Sequence, residues 1–236
     1  MSGLATVGGS FVREHLRTPL TLTLLVAIPV FFVLIFASVL DEFAKALGGQ
    51  LMTEAATSIS AGWAAAFLCG TLAFFEVASS RSADRRLALA GLGAGRVAVA
   101  RIVAAIVLGL LVSAVAYLTL FLRSGIEHPW HAGAAVLAFA LIYTGIGALI
   151  GAFVSDQLNG SLLVVVVFAV DVFSGPNMTS NSLFNWTPTR DAATLLIAAG
   201  SGETSPPGDW IKVGLTVLVA LSIATTAFWL AAGARD

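Results

Sequence analysis

Three ionisable side chains lie in or beside long apolar stretches: Glu76 in AFFEVASSR, Arg101 in VAVARIVAAI and Asp171 in VVVVFAVDVF. Charge is costly in hydrocarbon, so such residues are functional candidates by default. Glu76 and Arg101 close two successive apolar runs at what would be the same membrane surface. There they could form a partly desolvated pair that fixes how two helices move together, or each could reach separately for the headgroups. Asp171, toward the far end of its run, is expected to line an outer polar cavity or to pair with Arg190. A proton-driven carrier would line its path with several such groups through the midplane, and this chain carries too few.

Other chemistry is poorly supplied. A phosphate-binding loop needs Gly-Lys followed by Ser or Thr, yet Lys45 follows Ala44 and Lys212 follows Ile211. An intramembrane serine protease needs a base inside the bundle, and His15, His128 and His131 all fall in flanks or loops. No HExxH occurs, and Cys69 is the single cysteine, so metalloprotease, CxxC and disulfide readings fail together. No enzymatic activity, cofactor or metal is expected in the chain itself.

The elements that must position these groups follow from composition. Of 236 residues, 58% are hydrophobic and 11% charged, with a net charge of −1, and the mean hydropathy is +0.95. Soluble domains have about 25% charged residues, so the balance excludes a cytosolic enzyme, a disordered chain and a nucleic-acid binder. Ten of the twelve basic residues are Arg, a usage resembling that of a GC-rich bacterial proteome.

Runs long enough to cross the hydrocarbon, about 20 residues each, predict an all-α, polytopic membrane protein with a single transmembrane domain. Six spans are expected, at about 20–40, 57–77, 98–122, 132–154, 157–175 and 211–232, the first an uncleaved anchor kinked at Pro29. Arg13, Arg17, Arg81, Arg85, Arg86, Arg96, Arg101 and Arg235 then share one side. Lys45, Arg123, Arg190 and Lys212 share the other with most of the acids, which puts both termini in the cytoplasm.

Outside the spans, residues 1–19 pair Phe11 with His15 and Val12 with Leu16 at i, i+4 with Arg13 and Arg17 opposite, the pattern of an amphipathic interfacial helix. Residues 79–95 predict a short cytoplasmic helix capped by Ser82 and stopped by Gly91, Gly93 and Gly95. Asp84, Arg85, Arg86 and Leu87 would be its docking residues, although its arginines could simply set topology. The extracytoplasmic stretch 176–210 would carry a short re-entrant or interfacial helix near 192–202. Gly147 and Gly151 form a small-xxx-small pair suited to close helix packing, within the bundle or against another subunit.

Taken together this layout resembles the membrane subunits of ABC-2 type ATP-binding-cassette transporters. The likeness rests on the interfacial helix, the six spans, the acidic end of the second span (Glu76), the coupling-like stretch ADRRLALAGLG, the basic start of the third span (Arg101) and the outer segment FSGPNMTSNSLFNWTPTRDAATLLIAAG. It covers nearly the whole chain through patterns of type and spacing. Val77 after Glu76, and the absence of a Pro from the coupling stretch, depart from what the family often shows. The resemblance implies a plasma-membrane permease that forms an export path, paired with a second permease subunit, identical or different. A separate cytosolic ATPase subunit would bind ATP and Mg. An ATP-independent secondary transporter or channel-like bundle, or a membrane scaffold, is the competing expectation.

Overall fold

The computed structural model describes residues 19–154, 156–179 and 187–233; residues 1–18 of the expected interfacial helix, Trp186 and Arg235 lie outside them. Every regular element among the described residues is helical, apart from one isolated bridge between Gly48 and Thr179. The first rod comprises α1 (Pro19–Phe31), a π-helical turn (Phe32–Phe36) and α2 (Ala37–Ala46). Then follow α3 (Thr53–Leu87), a second π-helical turn (Ala88–Leu92), α4 (Ala94–Ser124), α5 (Pro129–Phe153), α6 (Gln157–Phe173), α7 (Arg190–Ser201) and α8 (Pro207–Gly233).

Five helices are long and apolar enough to cross a membrane: the first rod from Thr23, α3 with its terminal turn, α4, α5 and α8. The fifth expected span, 157–175, is shorter than predicted. With 17 residues, α6 is about 26 Å long against a hydrocarbon thickness of about 30 Å. Its start is fixed by the Asp156 side chain, which accepts from the Leu158 amide at 3.2 Å. It ends at Ser174, just before the turn in which Asn177 adopts a φ of 61°.

The stretch 79–95 departs from expectation in a more consequential way. No break separates the apolar part of α3 from residues 83–90, and Ser82 lies inside the helix rather than at a cap. Residues 76–87 contain neither Gly nor Pro, and Glu76, Ala78, Arg81, Ala83, Arg85, Arg86 and Leu87 among them favour continued helix. Ser79 bonds back to the Phe75 carbonyl at 2.6 Å, a Ser arrangement that helices tolerate. Reversal comes only at Gly91 (φ 104°) and Gly93 (φ 74°). Neither has an atom within 4 Å of where a Cβ would stand, so backbone conformation rather than crowding requires glycine there. The result is a helical hairpin of α3 and α4. At 35 and 31 residues these helices are about 52 and 46 Å long, well beyond one hydrocarbon thickness.

Helix α3 is the axis of the bundle: 78% of its most apolar window is buried, against 28% for the first rod and for α8. Phe139 and Tyr143 of α5 are wholly buried against α3, as are its own Trp63 and Phe74 within the bundle. Where hydrocarbon surrounds the helices, close van der Waals packing over small residues holds them. Gly62 receives the ring of Phe139, Gly70 that of Tyr143, and Gly160 of α6 that of Phe74.

The first rod stays α-helical through Pro29, the expected kink site, and its irregularity comes just after, as the π-helical turn Phe32–Phe36. Arg123, at the end of α4, donates to the Val33 carbonyl inside this widened turn. A hydrogen bond from a charged donor is worth about 1.5–3 kcal/mol. Arg123→Leu should therefore lower stability by about that amount in chemical unfolding of the lipid-reconstituted protein, with Arg123→Lys retaining part of it.

Candidate functional site: a buried charge cluster in the α3–α4 hairpin

Glu76 and Asp84 are eight residues apart on α3, a spacing that returns them to one face of an unbroken helix. Arg101 reaches between them from α4. Its Nη1 is ion-paired with Glu76 Oε1. Its Nη2 lies 2.7 Å from Asp84 Oδ1, and its Nε is 3.2 and 3.1 Å from the two Asp84 carboxylate oxygens. Arg101 is 5% exposed and Asp84 3%, so both are withdrawn from solvent, while Glu76 keeps a partly open edge.

The planar guanidinium explains why arginine serves here. Its fork of donors meets Asp84 two-pronged and still has an arm for Glu76, which a lysine ammonium could not do in the same geometry. Buried pairs are costly to form, so such a cluster contributes more to fixing geometry than to stability. Here it locks the register of α3 against α4 just before the hairpin turn. Arg81 adds a second tie by donating to the Gly151 carbonyl near the C-terminus of α5.

The predicted neighbours Glu76 and Arg101 thus touch, but the docking residues regroup. Asp84, expected on an exposed face, is instead held by Arg101. Leu87 packs half-buried against Ala100 and Ala104, and Arg85 is half-buried. Only Arg86 of the four is exposed. The exposed tip is formed instead by Ala90, Gly91 and Leu89, the last 79% exposed. The i, i+8 spacing of Glu76 and Asp84 was the available signal for the cluster, masked by reading Ser82 as a cap.

A cavity of about 20 Å³ lies beside Glu76, lined also by Cys69, Leu108 and Thr144. That volume holds about one water. Gly147 and Gly151 face α3: a Cβ on Gly147 would run into the Gly70 carbonyl, and one on Gly151 would come within 2.8 Å of the Phe74 carbonyl. The pair therefore packs inside the bundle and is not available to a second subunit.

Asp171 is 2% exposed. It accepts from the Tyr143 hydroxyl at 2.9 Å and the Thr189 hydroxyl at 2.6 Å. Arg190 donates at 3.4 Å to the Ser174 carbonyl, so the acid is held by hydroxyls rather than by this arginine, both of them on Oδ2, while its buried Oδ1 has no hydrogen-bond partner among the described residues. Among the described residues no group of three or more His, Cys, Asp or Glu side chains converges as a metal site.

No protein-family model matches the chain, and no curated protein does either. The functional reading therefore stands on the hairpin, its charge cluster and the membrane-spanning bundle beneath it.

Proposed function

We propose that this chain is the membrane permease subunit of an ATP-binding-cassette exporter of the ABC-2 type, located in a bacterial plasma membrane. In this reading it crosses the bilayer six times, α6 completing the count, with both termini and the Gly91–Gly93 turn in the cytoplasm. Two such subunits, identical or different, form the export path, and a cytosolic partner binds ATP and Mg and hydrolyses the nucleotide.

The observation that carries the proposal is the braced hairpin. A rigid lever needs two helices that extend beyond the membrane, a lock that prevents them sliding, and an exposed apolar anchor at the tip. The lengths of α3 and α4, the Glu76–Arg101–Asp84 cluster and exposed Leu89 supply these three parts in order. An apolar side chain so exposed beside Arg86 suits a protein surface with an apolar pocket and an acidic rim.

The test is affinity purification of the full chain from its native membrane, followed by measurement of ATP hydrolysis. Co-purification of a nucleotide-hydrolysing subunit is expected. Replacing Leu89 with Asp and Arg86 with Glu should reduce that recovery roughly tenfold or more, the effect of losing an anchor worth about 1.5–2 kcal/mol, while membrane insertion is unchanged.

The hydroxyl-lined acid Asp171 favours a second reading, an ATP-independent transporter. Substrate movement in vesicles driven by an ion gradient, with no ATPase present and lost in Asp171→Asn, would establish that alternative and displace the first.

A further inference from the structure

At the end of the bundle opposite the Gly91–Gly93 turn, three helix ends meet around an open cavity of about 410 Å³. The N-terminal turn of α3 contributes Met52, Glu54 and Ala55, the C-terminus of α4 contributes Ser124, and the C-terminus of α7 contributes Ile197 and Ser201. The lining is acceptor-rich. The Ser124 hydroxyl donates back to the Leu120 carbonyl at 3.1 Å and that of Ser201 to the Ala198 carbonyl at 3.4 Å, so both present lone pairs. The last turns of α4 and α7 bring the negative ends of two helix dipoles, opposed by the positive end of α3, whose first turn also lines the cavity. Glu54 brings a full negative charge, and its side chain has no ion-pair partner among the described residues. No Lys, Arg or His lines the cavity.

A cavity of this size is far too large to hold a bare metal ion, and Met52, Ala55 and Ile197 give it an apolar wall. We propose that it is a binding site for a small organic ammonium, a primary amine carrying one apolar group. The ammonium would donate to Glu54 and to the serine hydroxyl oxygens, while its apolar part lies on Met52 and Ile197. The site requires no ATPase partner, so it is tested separately from the permease assignment.

The experiment is calorimetric titration of the full chain in phosphatidylcholine nanodiscs with phenethylammonium, alongside 2-phenylethanol and phenylacetate, which keep the apolar group but lack the cation. Saturable binding of the ammonium is expected, with much weaker binding of the other two. Glu54→Gln should weaken it roughly tenfold, as expected for loss of a charge-assisted hydrogen bond. Glu54 is exposed, so this variant should shift the unfolding midpoint only slightly, through loss of its charge in the first turn of α3. Met52→Trp, which fills the mouth from an exposed position, should weaken binding as well. Equal binding of 2-phenylethanol, unchanged affinity in Glu54→Gln, or no saturable binding up to about 10 mM, a free energy of only about −2.7 kcal/mol, would overturn the proposal.

Discussion

Arg101→Met should be the most destabilising single substitution in the hairpin, costing about 3–5 kcal/mol. Removing the guanidinium leaves the Asp84 carboxylate buried without its two-pronged partner and brings a second acid, Glu76, into the same space. Glu76→Gln should cost much less in stability, because the Asp84–Arg101 contact survives and the Glu76 side chain keeps an 18% opening to solvent. Under the proposed permease function its larger effect should fall on coupled transport, since the amide retains volume but not charge. Neutralising Asp84 together with Arg101, as Asp84→Asn with Arg101→Met, should recover a substantial part of the stability lost by Arg101→Met alone.

A double-mutant cycle on chemical unfolding in lipid measures this coupling directly. Additive losses would show that the three side chains act independently. The geometry also sets the outcome of a charge reversal. Glu76→Arg with Arg101→Glu would restore one pair while placing the new carboxylate against Asp84. That reversal should fail by itself and succeed better when Asp84→Asn is added.

The second large effect is expected at the α3–α5 crossing. A methyl group on Gly147 has no room before the Gly70 carbonyl, and a backbone atom cannot swing aside as a side chain can. Gly147→Ala should cost about 3 kcal/mol, the upper end of the overpacking range, and Gly147→Leu more. Gly214 of α8, with nothing within 4 Å of its Cβ position, supplies the control: Gly214→Ala should be neutral or slightly stabilising, since alanine is the better helix former. Unfolding midpoints for the three variants test this, and equal behaviour of Gly147→Ala and Gly214→Ala would contradict the described crossing.

Hydropathy alone revealed the apolar helices, because a continuous run of twenty apolar residues has few other uses. The contact between Glu76 and Arg101 was also legible, since both charges end adjacent spans at one surface. Asp84 was misplaced for a definite reason. Ser favours helix caps but also sits inside helices when its hydroxyl bonds backward, as that of Ser79 does, and Asp84 is held inside the helix by Arg101 from another element, so local sequence does not decide between the two. Once α3 is continuous, Asp84 falls two turns from Glu76 and its role follows. The close packing of Gly147 and Gly151 was readable as a tendency, but its partner was not. The same small-xxx-small spacing serves a neighbouring helix or another chain, and only the position of Gly70 on α3 selects between them. The tie from Arg123 to Val33 left no pattern to read, because it joins residues ninety positions apart through a turn whose widening depends on packing.

The account of the hairpin as a lever on a cytosolic ATPase is tested most directly by a photo-crosslinking amino acid at position 89 in the full chain, activated in intact cells. The expected product is a covalent adduct with a soluble polypeptide containing a Gly-Lys-Ser/Thr phosphate-binding loop, identified by mass spectrometry and diminished by Arg86→Glu. An adduct with lipid alone, or labelling of a cysteine at position 89 by an impermeant reagent added outside the cell, would contradict it.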